Sequence, residues 1–167
     1  MRVTPLRTLQ LCSGILIRGD TVLLVHCRYE GEPEPLWTLP GGRQNEAETI
    51  AEAVVREFAE ETSLAVSVDE LAYVSESIDE QRALHVRNCT FFMREGELAT
   101  APHARDAAIV EARFVPLQQA PALLAADVLR IPVAAALGGE PGSRYYAFRD
   151  SDIQVPFFGR SGAAPHG

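Results

Sequence analysis

The sequence lacks lysine, because all 15 of its basic residues are arginine. Chemistry that needs a primary side-chain amine is therefore excluded, which removes Schiff-base and pyridoxal enzymes. A Walker A loop with its phosphate lysine is excluded for the same reason. The sequence also lacks an uninterrupted apolar run of roughly 18 residues, the minimum for a transmembrane helix. Its 167 residues have the length of one globular domain.

Positive charge is scarce as well, since 23 acidic residues outnumber the basic ones and give a net charge of −8. We therefore expect neither a nucleic-acid polymer nor a membrane as a partner. Cysteine is limited to Cys12, Cys27 and Cys89, each within an apolar run. This pattern predicts reduced, buried thiols and a cytoplasmic location rather than a disulfide framework.

The apolar pattern predicts mixed strands and helices. Leu11–Ile17 and Thr21–Cys27 flank a Gly-Asp turn and predict a β-hairpin. Ile50, Val54 and Phe58 recur at helical spacing within a helix expected over Glu46–Thr62. Further predicted elements are strands at Leu64–Val68, Leu71–Ser75, Leu84–Met93 and Glu111–Val115, and a helix over Pro116–Leu137 interrupted at Pro121 and Pro132.

From Gly138 onward glycine, proline and serine become frequent, a composition typical of a loose tail. The same segment holds five aromatic residues, which a solvated tail rarely carries: Tyr145, Tyr146, Phe148, Phe157 and Phe158. We therefore expect one domain over residues 1–137 and an extension over 138–167. The extension is expected to pack partly on the domain or on a partner subunit, which makes a homodimer possible.

Six carboxylates and two arginines lie between Gly41 and Leu64. On a helical wheel of about 100° per residue, Glu57 and Glu61 border the apolar stripe and Glu60 lies beside them. Arg56 is placed to pair with Glu52 and Glu60 but poorly placed to neutralise Glu57 and Glu61. A hard divalent cation fits this cluster, whereas a solvated acidic helix face is the structural alternative.

The spacing of the residues in this segment favours the cation site over the solvated acidic helix face. Gly42, Glu48, the pair Arg56-Glu57, the pair Glu60-Glu61 and Leu64 resemble the Nudix hydrolase signature, and Leu39-Pro40-Gly41-Gly42 resembles its usual lead-in. One departure is Ser63, where the family usually has glycine. A serine at this helix end requires a strained backbone or a different turn.

The resemblance implies an α/β (α+β) fold of the Nudix type, an α/β/α sandwich with a mixed sheet between helices. It also implies Mg²⁺ as cofactor, with Mn²⁺ as a substitute, and attack of water on a phosphoanhydride phosphorus. By position, the metal ligands would be Glu57, Glu60, Glu61 and the Gly41 carbonyl. Arg56 would orient Glu57, and Glu48 would brace the loop.

The base that deprotonates water is left open by the resemblance. Family members use a signature glutamate or an acid of a later loop, and Ala108 stands where that later acid would be. Asp106 or Glu111 would substitute only after a loop shift, so we favour Glu57 or Glu60. For substrate contacts, Arg28 and Arg82 are candidate phosphate clamps and Trp37 a candidate base-stacking residue. Solvated strand edges explain the two arginines equally well, and a lone tryptophan in a strand is more often a core residue.

The expected function is hydrolysis of a nucleoside di- or triphosphate derivative, a (d)NTP or a nucleoside diphosphate linked to another group. The resemblance leaves the leaving group open. Ser63 and Ala108 favour an alternative, a non-catalytic nucleotide-sensing or partner-binding module on the same fold. An acidic structural domain without a ligand is a third possibility.

Overall fold

A computed structural model describes residues 5–97, 100–139 and 144–149. These residues form eight strands and three helices. In chain order they are β1 (Arg7–Arg18), β2 (Thr21–Cys27), β3 (Leu36–Thr38), β4 (Gly41–Arg43), α1 (Ile50–Thr62), β5 (Val66–Asp79), β6 (Leu84–Glu95), β7 (Ile109–Pro116), α2 (Ala120–Leu123), α3 (Asp127–Leu137) and β8 (Tyr145–Arg149).

The strands form one mixed sheet in the order β3-β2-β1-β6-β5-β8, with β4 added to β1 and β7 to β2. The β1–β6 and β5–β8 pairs are parallel, and the other pairs are antiparallel. The hairpin predicted between β1 and β2 is confirmed, with Arg18 opposite Thr21. The α/β fold class with a mixed sheet is likewise confirmed.

Alternation along β1 places successive side chains on opposite faces of the sheet. Leu16 packs with Val54 and Phe58 of α1 on one face. Ile15 packs on the other face with Leu124 and with Val133 of α3. The sheet is therefore covered on both faces, and each face has its own apolar cluster.

Helix α1 begins at Ile50, four residues after the predicted start at Glu46. Thr49 is the N-cap residue: its hydroxyl accepts from the Glu52 N–H, and the Glu52 carboxylate accepts from the Thr49 N–H. This capping box fixes the start, and the Thr-x-x-Glu pattern was present in the sequence. The helix ends at Ser63, whose φ of 59° is left-handed, so the strained turn expected for serine is confirmed.

Two of the predicted boundaries were wrong. The strands expected at Leu64–Val68 and Leu71–Ser75 are one strand, β5, whose register against β6 shifts between Val68 and Glu70. A β-bulge interrupts the alternation there without ending the strand. Helix α3 runs through Pro132, and the break expected there lies at residues 124–126 instead. Pro121 occupies the first turn of α2, where proline is tolerated.

Strand β8 belongs to the segment expected as a C-terminal extension. It pairs with β5 and buries Tyr146 and Phe148 against the α3 side of the sheet. Phe157 and Phe158, with the rest of 150–167, lie outside the described residues. Whether a second subunit contacts this segment stays a prediction. Within the described ranges, no helix has the length and hydropathy needed to span a membrane.

All three cysteines are free thiols. Cys12 and Cys27 are buried, as expected, whereas Cys89 is half-buried. The Cys12 thiol donates to the Gly42 carbonyl at 3.5 Å. Burial raises the pKa of this thiol to about 11, so Cys12 stays protonated and is no nucleophile near neutral pH.

Candidate active site

The second half of α1 faces the Gly41–Gly42 segment of β4. The Gly41 N–H donates to the Glu61 carboxylate at 2.9 Å. A Cβ atom at Gly42 would lie 2.5 Å from the Glu57 carboxylate, and one at Gly41 would lie 2.1 Å from the Cys12 carbonyl oxygen. Both glycines are therefore required for the close approach of helix and strand.

Arg56 is the hub of this region. Its guanidinium donates to Glu48 at 2.7 Å, to Glu57 at 3.0 Å and to Glu60 at 3.2 Å. The predicted pairing with Glu60 is thus confirmed, but the prediction that Arg56 cannot neutralise Glu57 was wrong. The arginine stem is long enough to reach around the helix, and Glu52, its other predicted partner, is held by Thr49 instead.

Glu48 ties the loop before α1 to the helix. Its carboxylate accepts from Arg56 and, at 2.6 Å, from the Asn45 N–H. The Arg56 hydrogen bond is the largest cause that lowers the pKa of Glu48 to about 2. Glu48 is therefore ionised at any physiological pH, and it acts on the loop between β4 and α1 rather than facing Gly41–Gly42.

The pKa values of the two glutamates nearest Gly41–Gly42 are raised, whereas that of Glu48 is lowered. Burial is the main cause that raises the pKa of Glu61 to about 8; the Gly41 hydrogen bond opposes the rise, and the negative charge of Glu57 adds to it. Burial also raises the pKa of Glu57, which the Arg56 guanidinium opposes. Among the ion pairs of the described residues, Arg56 contacts Glu57 and not Glu61, so these two desolvated carboxylates have little positive charge beside them.

Glu60 is placed differently, because half of its side chain is exposed and its carboxylate turns towards Arg56. Among the described residues, no three His, Cys, Asp or Glu side chains converge on one point in the way a cation site requires. Glu57 and Glu61 nevertheless have the donor chemistry that a hard divalent cation prefers. We call the group Glu57, Glu60 and Glu61, together with Gly41–Gly42, the acidic end of the site.

The structure distinguishes Asp106 from Glu111, the two candidates for a base in a later loop. The Asp106 N–H donates to the Glu60 carbonyl at 3.2 Å, and the charge of Asp106 contributes to the raised pKa values of Glu57 and Glu61. Ala108 packs beside Val25, and its N–H donates to the Asp106 carboxylate. Glu111 pairs with Arg113 on β7. Asp106 therefore adjoins the acidic end without any loop shift.

A cavity of about 420 Å³ adjoins Gly41 and Gly42. The α3-facing side of the sheet forms its floor, and α3 covers one side through Val128 and Leu129. Apolar residues of three strands contribute most of its surface; they are Leu9 and Leu11 of β1, Val86 of β6 and Phe148 of β8. An elongated ligand that enters this cavity would have its other end at the acidic end.

The structure does not bring together Arg28, Trp37 and Arg82, the three residues predicted to contact the substrate. Trp37 stacks on His26 with 4.4 Å between the ring centroids, and the Arg113 guanidinium lies over its ring. Arg28 is exposed on the loop after β2. Arg82 pairs with Asp79 at the exposed tip of the β5–β6 hairpin. Among the described residues, none of these three lines the cavity.

The sequence interpretation missed the polar residues of the cavity floor. Ser13, Ser75 and Asn88 lie there on β1, β5 and β6. Little in the local sequence marks them, because they meet through strand pairing. The one available signal was the spacing of Ser75 and Ser77, which places two small polar side chains on one face of β5.

Comparison with known proteins places the chain in a single family. The NUDIX domain model matches residues 8–136. The chain is 33% identical over 106 residues to an ADP-ribose pyrophosphatase of Methanocaldococcus jannaschii, which covers 62% of each protein. It is 35% identical over 94 residues to a putative 8-oxo-dGTP diphosphatase 2 of Mycobacterium tuberculosis, covering 56% of this chain and 64% of that relative.

The matched region thus spans somewhat less than two thirds of these curated relatives. Among solved structures, a NUDIX hydrolase from Nitrosomonas europaea superposes with a TM-score of 0.69. Their sequence identity is 18%, and the superposition covers 83% of this chain and 93% of the other. At that identity the likeness concerns the fold alone, which is the mixed sheet and helices described above.

Proposed function

The chain belongs to the NUDIX family, and from this premise we propose that it is a pyrophosphohydrolase acting on a nucleoside di- or triphosphate derivative. The observation that carries the proposal is the acidic end, where Glu57 and Glu61 lie desolvated against Gly41–Gly42 beside a cavity. An anionic phosphate enters such a place only when cations separate it from the carboxylates. The two relatives named as pyrophosphatase and diphosphatase support the same class of reaction.

Nudix hydrolases generally use divalent metal ions, and we propose Mg²⁺ here, with Mn²⁺ as a substitute. Glu57, Glu61 and the Gly41 carbonyl would hold it, and Glu60 would join them by turning its half-exposed side chain. When bound, the cation would supply positive charge that offsets the carboxylates and would act as a Lewis acid on the phosphoanhydride.

The chain's own residues have distinct tasks in this proposal. Arg56 orients Glu57 by a charge-assisted hydrogen bond, whereas its bond to the half-exposed Glu60 would break when that side chain turns. Glu48 holds Arg56 and the loop together. Gly41 and Gly42 admit the carboxylates because they have no side chain.

For the general base we propose Glu57 or Glu60, as the signature suggests. The position of Asp106 supports it as a third candidate. A proton acceptor must lie within hydrogen-bond reach of the attacking water. Single variants Glu57→Gln, Glu60→Gln and Asp106→Asn separate the three, because only loss of the base removes the acidic limb of the pH–rate profile.

The test of the function is release of phosphate or pyrophosphate from a panel of nucleotides with Mg²⁺ or Mn²⁺. The panel contains (d)NTPs, ADP-ribose, nucleotide sugars and dinucleoside polyphosphates. We expect turnover of at least one compound, lost without a divalent ion and lost in Glu60→Gln. Glu52→Gln is the matched control, since glutamine preserves the capping box on the same helix.

Ligand-induced thermal stabilisation without turnover would instead support the nucleotide-sensing alternative. That alternative rests on Ser63, on Ala108 and on the turned-out carboxylate of Glu60. The absence of both turnover and any thermal effect of divalent ions would leave only a structural role.

A further inference from the structure

Asn88 lies at the centre of the cavity floor, between β1 and β5. In the sheet register it is opposite Leu11 on one side and Ser75 on the other. It is the one carboxamide among the residues that line the cavity in the described part of the chain. An amide in a mainly apolar cavity costs free energy unless its hydrogen bonds are satisfied.

Two hydroxyls hold the Asn88 side chain in place. Its Nδ2 donates to Thr90 at 2.9 Å and to Ser13 at 3.2 Å. The two hydroxyls also contact each other at 2.7 Å, and both residues are buried. The donors of the amide are therefore used within the protein. Among the described residues its Oδ1 accepts only one hydrogen bond, from Ser13 at 3.4 Å, so this oxygen of a cavity-lining residue keeps acceptor capacity for a ligand.

Ser75 supplies a second polar group beside this acceptor. It is 7% exposed and lines the cavity next to Asn88. Within the described residues its hydroxyl has no hydrogen-bond partner, although Ser13 and Thr90 on the same floor are paired. The Ser75 hydroxyl is not among the fully buried, unpartnered polar atoms of the described residues. It is therefore accessible from the cavity, where a polar atom of a ligand can replace water as its partner.

The charge of the cavity limits what kind of ligand fits it. Arg43 and Glu76 are the charged residues among those lining it in the described ranges. Arg43 lies at the acidic end, next to Gly42. The Glu76 carboxylate bonds His85 and Tyr145 on the face of the sheet opposite Asn88, because strand neighbours alternate. The floor around Asn88 is thus uncharged and suits a neutral, flat group between apolar side chains.

The same strand links this floor to the acidic end. Ser13, which anchors Asn88, is the register partner of Gly41 on β4. One ligand therefore reaches both places, with its phosphates at Gly41–Gly42 and its neutral part over Asn88.

Building on the proposed function, we propose that this cavity receives the uncharged nucleobase and that Asn88 is a specificity-determining residue. Its Oδ1 accepts a hydrogen bond from an N–H group on the edge of the base. The Ser75 hydroxyl bonds the neighbouring polar atom of that edge. Ser13 and Thr90 are positioning residues that keep the acceptor of Asn88 turned to the base.

The kinetic test compares Asn88→Leu with Asn88→Asp on a hydrolysed nucleoside triphosphate and on 2-deoxyribose 5-triphosphate, which has no base. Leucine removes the acceptor, whereas aspartate keeps it and still bonds both hydroxyls. We expect Asn88→Leu to lose roughly 10-fold in kcat/KM on the nucleotide, the usual value of one hydrogen bond, and nothing on the abasic compound. Asn88→Asp should restore most of the loss. Equal effects on both compounds would overturn the proposal.

A binding measurement keeps this proposal separate from the hydrolase proposal. Calorimetric titration with a nucleoside 5′-monophosphate needs no turnover, and we expect weaker binding in Asn88→Leu and in Ser75→Ala. Ser67→Ala, an exposed position on the same strand, is the matched control. Turnover in the panel with unchanged nucleotide binding in both variants would refute the base assignment alone. Binding that depends on Asn88 without turnover would refute the hydrolase alone.

Discussion

The acidic end and the cavity floor differ in charge although they share strand β1. At the acidic end, Glu57 and Glu61 are desolvated and have raised pKa values. On the floor, Asn88 and Ser13 are uncharged and hydrogen-bonded to each other. The contrast indicates which end of the ligand lies where. A phosphate group needs a cation between it and the carboxylates, whereas a neutral ring needs no counter-charge.

The contrast is built by strand alternation and by one short strand pair. Cys12 of β1 points towards α1 and contacts the Gly42 carbonyl. Ser13, the next residue, points to the cavity and contacts Thr90. Strand β4 pairs Gly42 with Cys12 and Gly41 with Ser13. A single residue step along the chain therefore separates a carboxylate site from a neutral one.

The largest effect is expected from Glu57→Gln and Glu61→Gln. Each removes a charge that the acidic end needs to hold a cation, so kcat/KM should fall by about 10²- to 10³-fold. Far-ultraviolet circular dichroism should stay unchanged. Full activity in both variants would mean that the acidic end has no part in the reaction.

Gly42→Ala tests the close approach at the same end. The new methyl group would lie 2.5 Å from the Glu57 carboxylate and must displace it. We expect activity to fall by roughly 10- to 100-fold, with the greater part recovered at high Mg²⁺, since a displaced ligand weakens cation binding. Gly19→Ala, where a Cβ meets no atom within 4 Å, should leave activity unchanged, although its φ of 61° should lower the free energy of unfolding by about 1 kcal/mol. Equal activity of the two variants would contradict the tight fit.

Between about pH 5 and pH 8, the pH dependence of stability should come mainly from Glu61 at the acidic end. In the folded protein the pKa of Glu61 is about 8, above the usual value of 4.5. The folded state therefore holds a proton that the unfolded state releases, and metal-free stability should fall as pH rises from about 5 to about 8. Glu61→Gln should flatten this slope in thermal melts. A slope that persists in Glu61→Gln would assign it to another group.

Divalent cations should reverse that loss. At pH 8 a saturating cation binds the folded state only, and at 100 times its Kd this adds about 2.7 kcal/mol. The melting temperature should then rise by roughly 5–10 °C. At pH 5 the same concentration of cation should raise the melting temperature much less, because a proton occupies the Glu61 carboxylate and competes with the cation for it.

The smallest effect is expected at Ser63, outside both regions. Glycine would relieve the left-handed backbone, but it would remove the hydroxyl that bonds the His103 carbonyl at 2.6 Å. Each contribution is about 1 kcal/mol. Ser63→Gly should therefore change the free energy of unfolding by less than about 1 kcal/mol, with unchanged turnover. A large loss of activity would give this turn a role in the site.

Local sequence patterns predicted most of the strands and helices and the glutamates of the acidic end, but they did not predict the cavity floor. The apolar stripe of α1 and the turn at Gly19 act over a few residues, so periodicity and turn chemistry were sufficient for both. The reach of Arg56 to Glu57 depends on side-chain conformation, which a helical wheel does not contain. Asn88 and Ser13 are 75 residues apart in the chain and meet only through the parallel β1–β6 pairing. No local signal specifies that register.

Binding of Mn²⁺, followed by electron paramagnetic resonance without any nucleotide, tests the central claim most directly. We predict that the wild-type protein binds the ion and that Glu57→Gln and Glu61→Gln each weaken this binding at least 10-fold. Glu52→Gln, with the same loss of charge on the same helix, should bind as the wild type does. Equal Mn²⁺ affinity in all four proteins would contradict the account.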